Sequence, residues 1–140
     1  MIRVATRADV PEILEIYAPY VVNTTCSFEY EPPTLEAFYE RFAAFTDRFP
    51  WLVWEEEGRV LGYAYGSPPY ARAAYGWCAE PSVYLAPQAH RKGIGTALYA
   101  ALEKILALQG YQVLYALVTS ENEISMAFHG KNGYLIRAEF

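Results

Sequence analysis

The amino-acid sequence predicts one α+β domain over residues 1–140, in which helices flank a mixed, mostly antiparallel central sheet. The chain has 140 residues, of which 54% are apolar and 19% charged, and this length and composition suit a single compact core. Segments with helical periodicity alternate with short β-rich runs, and repeats and low-complexity stretches are absent. The resulting order, β-α-α-β-β-β-α-β-α-β, predicts an α+β or mixed-sheet sandwich.

The N-terminal half is predicted to place two helices between a short strand and a hairpin. Thr6 and Asp9 have capping-box spacing ahead of the first helix. Thr34 can cap the second helix, whose aromatic residues fall on one face and are expected in the core. Glu57 and Gly58 form a polar turn between two β-rich runs, which predicts an antiparallel hairpin. The predicted strands cover residues 2–5, 51–55 and 60–65.

The C-terminal half is predicted to alternate strands and helices after a loop at residues 66–76. Gly110 closes a long helix and Gly133 closes a short one, since glycine readily adopts the conformation that ends a helix. The predicted strands cover residues 78–85, 113–118 and 134–137, and the predicted helices cover residues 96–108 and 122–131.

Charge and composition exclude several classes of protein. A net charge of −5 and a pI near 5.0 argue against nucleic acid or an anionic membrane as the partner. Glu103 and Lys104 interrupt the longest apolar candidate for a membrane span. The chain has only two cysteines, and its first ten residues carry charges where a signal peptide would be apolar. We therefore expect a cytoplasmic protein that binds neither nucleic acid nor membrane.

The most informative segment is PSVYLAPQAHRKGIGTAL, in which a β-rich run leads into a basic glycine turn that opens a helix. The free N–H groups at the start of a helix bind phosphate, and Arg91 and Lys92 add positive charge. The turn alone more often indicates a βα connection that needs Gly93 and Gly95 only for its geometry. The third glycine of a dinucleotide fingerprint and the Gly-Lys-Ser/Thr of a P-loop are both absent.

Three further segments narrow the interpretation: FPWLVWEEEGRVLGYAYGSP, ARAAYGWCAEPSVYL and SENEISMAFHGKNGY. Their order and separation resemble the Gcn5-related N-acetyltransferases, and within them the phosphinothricin and methionine sulfoximine acetyltransferase subfamily, along essentially all 140 residues. The resemblance implies the acyl-CoA N-acyltransferase fold, acetyl-CoA as co-substrate, no metal, and direct acetylation of the amine of a small amino-acid-like substrate. Protein N-terminal or other amine acetylation, and a catalytically weak CoA-binding module, remain alternatives.

The resemblance also implies a cofactor site. Backbone N–H groups of the turn would hold the acetyl-CoA pyrophosphate, and His90 stands where the family usually has Gln or Arg. Val83 and Leu85 would pair with the pantetheine arm, and one of their N–H groups would polarise the thioester carbonyl. The turn residues concerned are Arg91, Lys92, Gly93, Ile94, Gly95 and Thr96.

Two side chains are candidates for proton transfer. Glu80 matches the family carboxylate that takes the proton of the amine, and His129 stands where the superfamily commonly has the tyrosine that protonates the leaving thiolate. Asn122 and Ser125 resemble contacts to the pantetheine and adenosine side of the cofactor. Position alone would favour a surface carboxylate for Glu80 and a structural role for His129, and only the resemblance favours catalysis.

The acceptor site is expected in loops. Arg72 matches a family arginine that would meet an acidic group of the acceptor, while Phe28 and Tyr75 are candidates for the rest of the pocket. Phe28 could instead be a core or solvated loop residue. Neither cysteine lies in a motif with a base, so a covalent route has no support.

The resemblance raises a final expectation about the C-terminus. Related chains continue beyond the Gly-Tyr of GKNGYLIRAEF into a last strand pair, so this chain is expected to lack that pair and to be C-terminally short. An unpaired apolar sheet edge invites association. We therefore expect a possible homodimer, or lower stability and activity than an extended form.

Overall fold

The computed structural model describes residues 1–24, 27, 29–70, 74 and 76–139. Short 3-10 turns at Arg7–Asp9 and Pro87–Ala89 lead toward the first and third helices. The strands and helices are β1 (Ile2–Val4), α1 (Val10–Asn23), α2 (Leu35–Phe45), β2 (Trp51–Glu56), β3 (Arg59–Ser67), β4 (Cys78–Leu85), α3 (Ile94–Leu108), β5 (Val113–Leu114) and α4 (Glu123–Lys131).

The strands form one sheet in the order β1-β2-β3-β4-β5. The first four strands are antiparallel neighbours, whereas β5 joins β4 in parallel. The hairpin predicted around Glu57 and Gly58 is present, with both residues at positive φ. The predicted fold class, a mixed and mostly antiparallel sheet flanked by helices, is confirmed.

Helices cover both faces of the sheet because the strands alternate apolar residues on both sides. Side chains of α1 and α2 pack on one face, where Trp51, Val53 and Tyr63 are buried. Side chains of α3 pack on the other face, around the adjacent strand residues Leu52 and Ala64. The aromatic residues of α2 behave as predicted, since its Phe38 and Phe42 are buried in the first of these cores.

Two predictions for the C-terminal part were wrong. The fifth strand ends at Leu114 instead of residue 118, because β4 and β5 pair only at Cys78–Val113 and Ala79–Leu114. Residues 134–137, predicted as a strand, form neither helix nor strand. A strand needs the hydrogen bonds of a neighbouring ladder, and the described part of the chain supplies no strand beside Tyr134.

Candidate active site

The parallel pairing of β4 with β5 ends early and opens the sheet. The last contact of the ladder is the Tyr115 N–H, which donates to the Ala79 carbonyl at 3.0 Å. From Glu80 to Leu85, β4 continues against β3 alone among the described strands. The edge of β4 that faces away from β3 is therefore open along most of its length.

The backbone groups of Val83 and Leu85 point toward this open edge. Leu85 lies opposite Gly62 in the β3–β4 ladder, and the Ala86 N–H donates to the Leu61 carbonyl at 2.8 Å. Leu85 and Gly62 are thus a non-hydrogen-bonded pair, in which the amide and carbonyl face away from the partner strand. Because this pattern repeats every second residue, the amide and carbonyl of Val83 point the same way.

Tyr20, at the C-terminal part of α1, holds the end of β4. Its hydroxyl donates to the Leu85 carbonyl at 2.6 Å and lies 3.2 Å from Nε2 of His90. A hydroxyl has one hydrogen, and that of Tyr20 is directed at the Leu85 carbonyl. In the contact with His90 the Nε2–H must therefore donate to the Tyr20 oxygen. Sequence reasoning missed Tyr20, because a tyrosine in an amphipathic helix is ordinarily a core residue.

The turn between β4 and α3 presents a row of backbone amides. Arg91 and Gly93 have positive φ values of 63° and 76°, and Gly93 is the residue that precedes α3. The Ala97 N–H donates to the Gly93 carbonyl at 3.0 Å. The amides of the preceding residues 94–96 lie before this first intrahelical bond, so they have no acceptor within the helix.

Positive charge and close packing surround these amides. The cations Arg91 and Lys92 are exposed beside the helix start, as is His90, and the helix dipole there also favours an anion. Gly95 is buried, and a Cβ there would lie 3.2 Å from the ring of Phe128 and 3.5 Å from the side chain of Leu85. Gly95 therefore also allows β4, α3 and α4 to approach one another at the turn.

Glu80 lies on β4, opposite Ser67 of β3, just beyond the last pair with β5. Successive side chains of a strand point to opposite faces of the sheet. The Glu80 side chain therefore lies on the face covered by α1 and α2, together with Tyr84 and Tyr65. Partial burial raises the pKa of the Glu80 carboxyl above its ordinary value. This shift makes it a stronger base than a solvated carboxylate.

Residues near the start of α4 hold its histidine. The Asn122 side chain accepts from the Ser125 N–H at 3.1 Å and caps the helix. One turn later in the helix, Nδ1 of His129 lies 2.8 Å from the carbonyl oxygen of Ser125 and 3.2 Å from the hydroxyl of Ser125. Asn122 and Ser125 thus form the cap and lie beside the histidine, and their expected contacts with the cofactor stay a prediction.

His129 reaches β4 through a tyrosine of α3. Its Nε2 lies 2.8 Å from the hydroxyl of Tyr99, which is itself 3.2 Å from the carbonyl of Pro81, the residue after Glu80. Burial lowers the pKa of His129 below its ordinary value, so the neutral imidazole prevails at neutral pH. Sequence reasoning missed Tyr99, which the periodicity of α3 presents only as a core residue.

The three candidate acceptor contacts, Phe28, Arg72 and Tyr75, lie outside the described residues. Within the described ranges, no helix is long and apolar enough to cross a membrane. The same part of the chain contains no group of three or more His, Cys, Asp or Glu residues arranged to hold a metal ion. The described site thus consists of the open edge of β4, the amides of the turn, and Glu80 and His129.

This fold, with an open strand edge beside a helix start, is that of the acyl-CoA-dependent acyltransferases. Residues 2–140 match the acetyltransferase (GNAT) domain family, so the chain belongs to that family. The resemblance predicted from the three sequence segments is confirmed.

Two relatives and one solved structure illustrate the similarity. The chain is 38% identical to phosphinothricin N-acetyltransferase of Streptomyces viridochromogenes, over 97% of this chain and 74% of the relative. It is 36% identical to the L-methionine sulfoximine/L-methionine sulfone acetyltransferase of Pseudomonas aeruginosa, over 99% of this chain and 81% of the relative. A phosphinothricin acetyltransferase from Sinorhizobium meliloti, solved in complex with acetyl-CoA, superposes with a TM-score of 0.94 at 34% identity, covering 99% of this chain and 76% of that one.

Proposed function

We propose that this protein transfers the acetyl group of acetyl-CoA to the amine of a small amino-acid-like acceptor of the phosphinothricin or methionine sulfoximine/sulfone type. The observation that carries the proposal is the open edge of β4 beside the basic helix start. The acceptors named for its relatives are amino-acid analogues with a primary amine, and this supports the choice of substrate class.

The cofactor would bind along the open edge and the turn. The amides of residues 91–96 would hold the pyrophosphate, with Arg91 and Lys92 adding charge and His90 lying beside them. The amide and carbonyl of Val83 and the amide of Leu85 would pair with the pantetheine arm. The Leu85 carbonyl already accepts from Tyr20, so we assign the arm fewer contacts at Leu85 than at Val83.

Different residues of the site would carry out the separate proton transfers of the aminolysis reaction. Acetyl-CoA supplies a thioester, whose carbonyl carbon bonds to the amine nitrogen while the carbon–sulfur bond breaks. Glu80 would take the proton that the attacking nitrogen loses, directly or through water. An N–H of Val83 or Leu85 would stabilise the carbonyl oxygen as it gains negative charge. His129, in its imidazolium form, would supply the proton that the leaving thiolate takes up, so that amide and free thiol are the products.

The acceptor would bind through loop residues. We assign the acidic group of the acceptor to Arg72, whose guanidinium offers a planar fork to a carboxylate or phosphinate. Phe28 and Tyr75 would line the rest of the pocket. Only the sequence resemblance supports these three assignments.

Two further proposals concern the molecule in the cell. A cytoplasmic location is supported by the acidic composition and by the free thiol of Cys78. Self-association through the sheet edge on the β5 side is supported by exposed apolar side chains that follow β5 in the chain, namely Tyr115, Leu117, Leu135 and Ile136. Sedimentation velocity measures this association directly.

Calorimetry combined with thiol detection tests the proposed function. We expect acetyl-CoA to bind the purified protein and CoA thiol to appear only when an amine acceptor is added. Binding without thiol release against any amine would instead support a CoA-binding module. Absence of binding would refute the cofactor site itself.

A further inference from the structure

Both ring nitrogens of His129 have defined partners, and this restricts where its proton can reside. Nδ1 lies 2.8 Å from the Ser125 carbonyl, which can only accept, so Nδ1 carries the hydrogen in the neutral ring. Nε2 then has a lone pair and faces the Tyr99 hydroxyl at 2.8 Å. In the neutral state the hydroxyl of Tyr99 must therefore donate to Nε2.

The protonated ring requires the opposite arrangement. An imidazolium has hydrogens on both nitrogens, so Nε2–H must donate and the oxygen of Tyr99 must accept. The hydrogen of Tyr99 then needs another acceptor, and the Pro81 carbonyl lies 3.2 Å away. A hydroxyl is suited to both states because it donates and accepts at one atom.

We propose that Tyr99 is a positioning residue for His129. The Tyr99 hydroxyl turns between Nε2 of His129 and the Pro81 carbonyl as the imidazole loses and gains its proton. The proposal rests on the proposed function, in which His129 gives up a proton during each turnover. Tyr99 is 1% exposed, and its ring packs against Phe128 and Tyr134 at centroid distances of 5.1 Å and 5.9 Å. Because the ring is packed in place, the hydroxyl changes partner by rotation of its hydrogen about the C–O bond.

The charged groups around this pair are few among the described residues. Glu103 of α3 accepts from the Tyr134 hydroxyl at 3.2 Å, and its negative charge opposes the effect of burial on the pKa of His129. Burial raises the pKa of the Tyr99 hydroxyl, and the nearby Tyr134, Glu103, Glu80 and Tyr84 add to this shift. Tyr134 offers a matched comparison, since its hydroxyl belongs to the same aromatic cluster and bonds to Glu103.

Nuclear magnetic resonance of the imidazole nitrogens tests the proposal without turnover. The chain has two histidines, so a spectrum of His90→Gln assigns both. We expect the neutral His129 of the wild type to carry its hydrogen on Nδ1. In Tyr99→Phe the imidazolium loses its acceptor, and hydrogen bonds to charged groups are the stronger ones, so the pKa of His129 should fall by about half to one pH unit.

Steady-state rates provide the second readout. Tyr99→Phe should lower kcat about tenfold while leaving KM for acetyl-CoA within about twofold, and Tyr134→Phe should leave both the pKa of His129 and kcat near their wild-type values. A hydrogen on Nε2 of neutral wild-type His129 would overturn the proposal, even if the variants fail to fold. So would an unchanged pKa and kcat in folded Tyr99→Phe. If the wild type releases no CoA thiol, the proposed function fails, and the nitrogen spectra still decide the behaviour of the hydroxyl.

Discussion

Glu80 and His129 are partly buried, and burial moves the pKa of each toward the uncharged form. These shifts favour a carboxylate that takes protons and an imidazolium that releases them. They also reduce stability, because each side chain is charged at some pH where burial opposes the charge. At the residue scale, the chemistry and the stability of the site are therefore opposed.

Glu80→Gln should lower kcat/KM at neutral pH, with recovery as pH rises, because alkaline solution deprotonates the amine without help. Stability at pH 7 should not fall, since the raised pKa of the folded carboxyl means that its ionised form costs stability above its ordinary pKa. A pH–rate profile and urea unfolding measure the two effects. A loss of rate that is constant across pH would remove Glu80 from the role of base.

His129→Gln should flatten the dependence of stability on pH. The pKa of folded His129 is lowered from 6.5, so below about pH 6.5 the unfolded chain binds more protons at this residue and the folded state loses stability as pH falls. Above that pH the stability is fully present. Urea unfolding at pH 8 and pH 5.5 should show a smaller loss for the variant, and His90 contributes equally to both proteins. Equal losses would contradict the buried neutral histidine.

At the scale of elements, the site depends on the junction of β4, α3 and α4. Gly62 shows how tight the neighbouring ladder is, because a Cβ there would lie 2.5 Å from the side chain of Leu85. Gly95 joins the three elements through its contacts with Leu85 and Phe128. A side chain at either glycine would move the end of β4, which borders the proposed cofactor site.

Gly95→Val should weaken acetyl-CoA binding more than tenfold, whereas Lys92→Ala should weaken it by about fivefold or less. The branched side chain would push α3 away from Leu85 and Phe128 and displace the amides of the turn, while one solvated charge contributes about 1 kcal/mol or less. Calorimetry measures both affinities, and thermal unfolding identifies a variant that has lost its fold. Equal losses in two folded variants would count against binding by the backbone of the turn.

The sequence predicted the elements whose signals are local. It did not predict strand lengths or side-chain contacts that depend on a neighbouring segment. The helices and the first four strands were predicted because periodicity, caps and turn glycines are encoded within each segment. The lengths of β5 and of the segment at residues 134–137 depend on which strand lies beside them. The contacts of Tyr99 and Tyr20 join residues far apart in the chain, so no local pattern distinguishes these tyrosines from core residues.

At the scale of the whole molecule, two packed faces support one open edge. α1 and α2 cover one side of the sheet and α3 the other, so the ladder from β1 to β4 is packed on both faces where β5 departs. The gap in the sheet is consequently part of the folded structure, and an extended thioester cofactor could complete it with its own amide groups. The family match over residues 2–140 agrees with this fold.

The most direct test of the central claim is a thiol-release assay with acetyl-CoA and a panel of acceptors: methionine sulfone, phosphinothricin and a glycine-terminated peptide, each with wild type and Glu80→Gln. We expect at least one of the two amino-acid analogues to give a kcat/KM at least about tenfold above that of the peptide, and Glu80→Gln to reduce it at neutral pH. Preference for the peptide, or no release with either analogue, would contradict the account.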